Sequence, residues 1–131
     1  ALLLEAMALL ADIRRRAVGQ SNPKRDLMTK AMDLLGRDLG DKKSMSEVAA
    51  GLNLSYPHFR RLFKAEIGVS PGEYRIQRRI DRAKILLQSS EEQITSIAAE
   101  LGYPNPFAFI KQFKQKVGHT PSQFRALWID A

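Results

Sequence analysis

The sequence contains no cysteine among its 131 residues. This absence excludes disulfides, thiolate nucleophiles and cysteine-based metal sites from the chain, and it suits a protein of the reducing cytoplasm, which is the location we expect. An apolar run long enough to span a membrane, about 20 residues, is also missing. The apolar stretch Leu2 to Ala11 is about half that length. The cluster Arg14-Arg15-Arg16 follows it, whereas a secretory signal has its positive charge first.

The constellations that catalysis and cofactor binding require are absent as well. The two histidines, His58 and His119, are far apart in the sequence and have no clustered carboxylates beside them, so neither a metal site nor an acid–base pair is predicted. No glycine-rich loop leads into a Lys-Ser or Lys-Thr pair that could bind a nucleotide phosphate. We therefore predict no enzymatic activity, no metal and no cofactor.

Acidic residues are in the minority. Against 14 Asp and Glu stand 21 Lys and Arg, which gives a net charge of +7 and a pI near 10.0. Such an excess indicates a polyanionic partner, either nucleic acid or an anionic membrane face. Charge alone leaves that choice open.

An internal repeat is the most informative feature that is present. The stretch VAAGLNLSYPHFRRLFKAEIGVSPGEYR, Val48 to Arg75, recurs as IAAELGYPNPFAFIKQFKQKVGHTPSQFR, Ile97 to Arg125. Equivalent residues are offset by 49 before the turn and by 50 after it, so one residue is inserted in the turn. A duplicated helix-turn-helix unit on a basic chain favours double-stranded DNA as the polyanion.

The periodicity predicts an all-α protein without strands. Two helix-turn-helix units are expected at about 44–67 and 93–117, preceded by an amphipathic helix over 23–39 and joined by one long helix over 71–88. Asn53 and Gly102 fall at equivalent positions in the two turns, where both residue types tolerate a left-handed backbone. A Ser or Thr followed three residues later by Glu or Gln marks the start of a helix. This pattern occurs at Ser44/Glu47, Ser70/Glu73 and Thr120/Gln123.

An extra N-terminal helix is predicted over Leu2 to Val18, followed by a short linker. Its apolar residues run nearly all the way round, so it requires burial on more than one side. It could pack against an upstream domain or a second copy, or merely cover the core of this chain. The chain starts at Ala1 without a methionine, and we expect it to be a fragment of something longer.

The second helix of each unit has a core side and an outer side. Because an α-helix rotates by about 100° per residue, the core side is predicted to carry Phe59, Phe63, Phe109 and Phe113. The same rotation places on the outer side Pro57, Arg60, Arg61 and Lys64 in the first unit and Phe107, Ile110, Lys111 and Lys114 in the second. These charges could be a solvated surface. Their recurrence on the helix that follows a tight turn favours contact with the major groove.

Particular contacts follow from side-chain chemistry. Arg61 is the first candidate for base reading and Lys111 the second, because an arginine can donate to both O6 and N7 of guanine whereas a lysine makes a less directional contact. Phe107 could meet a thymine methyl group or pack against a neighbouring helix. Backbone phosphates are expected at helix N-termini and at Lys64, Lys114 and Arg78.

The second copy resembles the signature of the AraC/XylS family of bacterial transcription regulators: I-A, then G-F/Y, then F-x-x-x-F-K, then G-x-T/S-P-x-x-F/Y-R. The resemblance covers Lys24 to Trp128. It implies seven helices forming two helix-turn-helix units that enter successive major-groove segments, about 34 Å apart, on one side of the duplex. Carried over to this sequence, the family's base-reading positions fall on Pro57, Arg60, Arg61, Asn105, Phe107 and Lys111.

The resemblance also implies a domain plan. Residues 1–20 would end an upstream effector-binding or dimerisation region, and residues 21–131 would form the DNA-binding domain. The expected partners are double-stranded DNA, RNA polymerase and a second copy, bound through the N-terminal helix or the missing upstream domain. Two alternatives stay open: a helical module that docks a protein, and the DNA-binding module of a repair protein whose catalytic cysteines lie elsewhere.

Overall fold

The computed structural model describes residues 2–17, 22–37, 39–40 and 43–129. Every regular element within these ranges is an α-helix, which confirms the predicted fold class. The helices are α1 Leu2–Ala17, α2 Pro23–Arg37, α3 Met45–Gly51, α4 Tyr56–Ile67, α5 Pro71–Ser89, α6 Ile94–Glu100, α7 Pro106–Val117 and α8 Pro121–Ile129. The predicted linker after α1 lies almost wholly outside the described residues.

Helix ends follow the local signals closely. The helices α4 and α7 end where the two units were predicted to end, at residues 67 and 117. Each is stopped by a glycine in the left-handed region, Gly68 at φ 101° and Gly118 at φ 91°. The prediction for α2 is wrong at its end. Leu39 continues the apolar spacing but lies in a turn, where its carbonyl accepts a hydrogen bond from Nε of Arg79 at 3.2 Å.

The chain divides into two compact units, residues 1–38 with 43–77 and residues 39–42 with 78–131. The core of the first unit is built from α2, α3, α4 and the start of α5. Phe63 is central to it, with ring centroids 5.8 Å from Phe59 and 5.7 Å from Tyr74, both edge to face. The other buried members are Met28, Ala31, Leu35, Val48, Ala49 and Leu52.

The core of the second unit repeats this plan with a longer row of rings. Phe113 lies 5.8 Å from Phe109 and 5.5 Å from Phe124, and Phe109 lies 5.2 Å from Tyr103. The second half of α5 buries Ile80, Ala83 and Leu87, at the same spacing at which α2 buries Met28, Ala31 and Leu35. The second half of α5 thus buries residues of the second unit at the spacing that α2 shows in the first.

Among the described side chains of α1, most of the large apolar ones are exposed. Ala8 is buried, but six large side chains are between 53% and 76% exposed: Leu2, Leu3, Met7, Leu9, Leu10 and Ile13. A nearly buried arginine of α2, Arg25, donates from Nη2 to the carbonyl of Ala8 at 3.2 Å and from Nη1 to the carbonyl of Glu66. The interpretation in which α1 merely covers the core is therefore wrong for those six side chains.

Candidate nucleic-acid interface

The direction of α4 is set by its turn and its first residues. Asn53 adopts the left-handed conformation with φ 60°, and the amide of Leu54 donates back to the carbonyl of Ala49 at 2.9 Å. The hydroxyl of Ser55 then accepts from the amide of His58 at 3.4 Å and caps the new helix. These local bonds fix where α4 starts relative to α3.

The two sides of α4 differ as predicted. Phe59 and Phe63 are wholly buried. The opposite side is exposed and carries Pro57, Arg60, Arg61 and Lys64. The result is a continuous outer face with three cationic side chains, on the helix that directly follows the tight turn.

The helix α7 repeats this arrangement with two differences. Its outer face exposes Lys111 and Lys114, but Ile110, predicted to point outward, is half-buried. Because isoleucine is uncharged, the second unit has no cation at the position of Arg60. Phe107 is 81% exposed. Its alternative interpretation, in which it packs against a neighbouring helix, is therefore wrong.

Asn105 has a structural task besides any contact with a base. Its Oδ1 accepts from the amide of Ala108 at 2.9 Å and caps α7. The side chain is nevertheless exposed, so its amide nitrogen can still donate to an outside acceptor. The residue thus orients α7 and can offer one hydrogen-bond donor to a ligand.

One arginine of α5 and its equivalent on α8 bond backbone carbonyls within the fold. Arg75 donates from Nη1 to the carbonyl of Lys43 at 2.7 Å, immediately before the cap of α3. Its equivalent in the second unit, Arg125, donates to the carbonyls of Leu87 and Ser90, each at 3.3 Å, shortly before α6. Sequence reasoning missed this role, although the recurrence of arginine at equivalent positions was the available signal.

Arg78, predicted to contact phosphate, is half-buried, and its Nε is enclosed by the protein. The neighbouring Arg82 is exposed. On this helix the structure therefore offers the guanidinium of Arg82 to a ligand more fully than that of Arg78.

The turn of the second unit contains a polar cluster. The hydroxyl of Tyr103 donates to Oε1 of Gln112 on α7 at 2.5 Å, and the guanidinium carbon of Arg79 lies 5.5 Å from the centre of the Tyr103 ring. Burial raises the pKa of Tyr103 to about 12, against a smaller opposing effect of Arg79. The hydroxyl therefore remains a donor at neutral pH.

In the part of the chain that the structure describes, no group of three or more His, Asp or Glu side chains could hold a metal ion. Nor does any of the described helices combine the length and apolar character needed to cross a membrane.

The chain is similar in sequence to known proteins. A profile of the helix-turn-helix domain matches residues 48–127. The uncharacterised HTH-type transcriptional regulator YfiF of Bacillus subtilis is 33% identical over 105 residues, which are 80% of this chain and 33% of that protein. The arabinose operon regulatory protein of Escherichia coli is 29% identical over 127 residues, which are 95% of this chain and 42% of that protein. The chain thus spans less than half the length of these relatives.

Solved structures agree with the sequence comparison. The C-terminal domain of AraT, a response regulator from Geobacillus stearothermophilus, has a TM-score of 0.75 at 28% identity, covering 81% of this chain and 86% of that one. The DNA-binding domain of AdpA, solved in complex with a target DNA, has a TM-score of 0.69 at 25% identity, covering 82% and 94% respectively. Both similarities extend over most of the helices described above.

Proposed function

Because this chain belongs to the AraC/XylS family of helix-turn-helix transcription regulators, we propose that α4 and α7 are its two recognition helices, each entering one major-groove segment of a single DNA site. The domain binds double-stranded DNA sequence-specifically as part of a transcription regulator. One observation carries the assignment: in both units the helix after the tight turn buries two phenylalanines and exposes basic residues at equivalent positions.

Base reading falls to the first half of each helix, since the N-terminal residues of a recognition helix reach deepest into the groove. In the first unit we propose Arg61 and Arg60, whose guanidinium groups can donate twice to guanine. In the second unit we propose Lys111, the exposed ring of Phe107 against a thymine methyl group, and the amide nitrogen of Asn105. Pro57, at the position of Phe107, can make only apolar contact.

Phosphate contacts fall to Lys64 and Lys114, one turn beyond the base readers. Both are exposed and occupy equivalent positions, as expected of residues that hold the same backbone feature in two groove segments. On α5 we retain Arg78 as the predicted phosphate contact and add the exposed Arg82. Contacts of this kind carry no sequence information but make the affinity depend on salt.

The proposal extends to the rest of the protein. The relatives are more than twice as long as the matched region, which supports an upstream effector or dimerisation region joined through residues 1–20. The exposed apolar side chains of α1 support contact with that region or with a second copy. A cytoplasmic regulator of this family would also contact RNA polymerase.

Selection of bound duplexes from a random pool, followed by footprinting, tests the assignment of the two recognition helices. We expect one motif with two separated blocks of base preference. The absence of cysteine allows a cleavage reagent to be attached at one position only, through Ala65→Cys on α4 or Gln115→Cys on α7, which are exposed and equivalent in the repeat. Each variant should cut beside a different block. Cleavage of the DNA at the same block by both variants, or a pool in which no sequence is enriched, would contradict the proposal.

A further inference from the structure

The turn of the second unit is closely packed at Gly102. Gly102 has φ +84°, and a Cβ atom there would lie 3.0 Å from both Nη2 of Arg79 and the carbonyl oxygen of Leu39. The same guanidinium donates from Nε to that carbonyl at 3.2 Å and faces the ring of Tyr103. Arg79 therefore lies on the turn and contacts both of its central residues.

The contact continues into α7. Tyr103 is 8% exposed, and its hydroxyl bonds Gln112, the residue that follows Lys111. Arg79, Tyr103 and Gln112 thus form one polar chain from α5 through the turn to the recognition helix. Burial also lowers the pKa of Arg79, so the protein holds this cation in a place that costs some of its hydration.

The first unit is built differently at the same place. Leu54 and Leu62 are the equivalents of Tyr103 and Gln112, and both are half-buried against the core of the first unit. Apolar contact is non-directional and tolerates rotation of a helix about its axis. A hydrogen bond weakens steeply when donor and acceptor are misaligned. The second recognition helix therefore has a directional restraint where the first has only an apolar contact.

We infer that Arg79 and Tyr103 are positioning residues that set the rotation of α7, so that Lys111 and Phe107 meet the bases of their groove segment at a defined angle. The inference rests on the proposed function, because it concerns how one proposed recognition helix reads DNA. Neither positioning residue needs to touch DNA. Arg79 holds the ring of Tyr103, and the Tyr103 hydroxyl holds α7 through Gln112.

The test compares base discrimination in the two halves of a site. The variants are Tyr103→Phe, Gln112→Leu and their combination, which reproduces the apolar character of the first unit. Three forms of the selected DNA site are used. The first is intact. In the second, the α7 block, which lies where the reagent on Gln115→Cys cuts, is scrambled; in the third, the α4 block, which lies where the reagent on Ala65→Cys cuts, is scrambled. Discrimination is the ratio of Kd on a scrambled site to Kd on the intact one.

We expect Tyr103→Phe to reduce discrimination in the α7 block by about 3- to 10-fold, the worth of one hydrogen bond. Discrimination in the α4 block and affinity for random duplex should not change. The double variant should lose no more than either single one, since all of them break the same bond. Arg79→Gln should reduce discrimination in the same block, and Arg79→Lys should restore part of it.

Three results would overturn the inference: an unchanged α7 block, equal losses in both blocks, or additive losses in the double variant. The melting temperature of each variant separates a local effect from unfolding, and Leu62→Met in the first unit is the matched control. Failure of the proposed function is recognised separately, because the unmodified chain would then show no discrimination in either block.

Discussion

The two helix-turn-helix units share a core and differ in their turns and outer faces. Both bury a pair of phenylalanines and both end their recognition helix at a left-handed glycine. The first turn has the exposed Asn53, whereas the second has the closely packed Gly102. Arg60 on the first face corresponds to the half-buried Ile110 on the second. The buried phenylalanines and the glycine stops are thus repeated, while the turns and the position of Arg60 and Ile110 have diverged.

The turns provide the largest expected effect. Gly102→Asn places a side chain 3.0 Å from the Leu39 carbonyl and 3.3 Å from Cα of Gly40, backbone that cannot easily move aside. We expect it to lower the free energy of unfolding by about 2–4 kcal/mol. Asn53→Gly in the first turn should change it by less than about 1 kcal/mol, since glycine adopts positive φ readily.

Urea denaturation checks this contrast. The sole tryptophan, Trp128, has its ring 6.2 Å from that of Phe124 in the second unit, so its fluorescence follows that unit, and circular dichroism follows all helices. Equal stability of the two variants would show that the turns are alike after all.

The outer faces provide the next effect. Arg61→Ala should cost roughly 1–3 kcal/mol on the preferred site and relax preference at one base pair, and Lys111→Ala should cost less because lysine cannot donate in the same forked manner. Lys64→Ala is the control: it should weaken all sequences alike and reduce the salt slope by about 1. Gel-shift titrations at several salt concentrations measure these quantities. Equal losses for Arg61→Ala on specific and random duplex would remove Arg61 from the base readers.

The smallest effect concerns pH. The pKa of Tyr103 is raised to about 12 in the folded chain, so the folded state keeps its phenolic proton when the unfolded state, near pH 10, loses it. The stabilisation is complete below pH 10 and disappears as the pH rises towards 12. The unmodified chain should therefore lose on the order of 1 kcal/mol more than Tyr103→Phe over that interval. Parallel stability curves for the two proteins would contradict the assigned donor.

Local signals in the sequence were sufficient for the two turns and for the helices, except for the end of α2. The positive φ of Asn53 and Gly102 and the limits of α4 and α7 all follow from residue types at repeated positions. The burial spacing shared by α2 and the second half of α5 was not predictable in this way, because many helices have apolar residues at such positions. The hydrogen bonds of Arg75, Arg79 and Arg125 join residues 32 to 40 positions apart, beyond the reach of periodicity.

In the candidate site, too, some features follow from local sequence signals and others depend on contacts distant in the sequence. Exposure of Arg61, Lys111 and Phe107 followed from the helical step, and their contacts with bases stay predictions. The half-burial of Ile110 and the burial of Nε of Arg78 depend on neighbouring elements, so periodicity alone misplaced Ile110. The phosphate contact of Arg78 stays a prediction.

The division of the chain into units has a practical consequence for anyone who wishes to dissect it. Neither unit is a contiguous stretch, since residues 39–42 belong with 78–131. A fragment that begins at Arg78 would lack the Leu39 carbonyl to which Arg79 donates. Gly102 would then be without the backbone that lies against it. Division of this protein at the middle of α5 would thus give a second fragment in which the space beside Gly102 is unfilled. Joining residues 39–42 to that fragment through a short linker would restore the missing backbone.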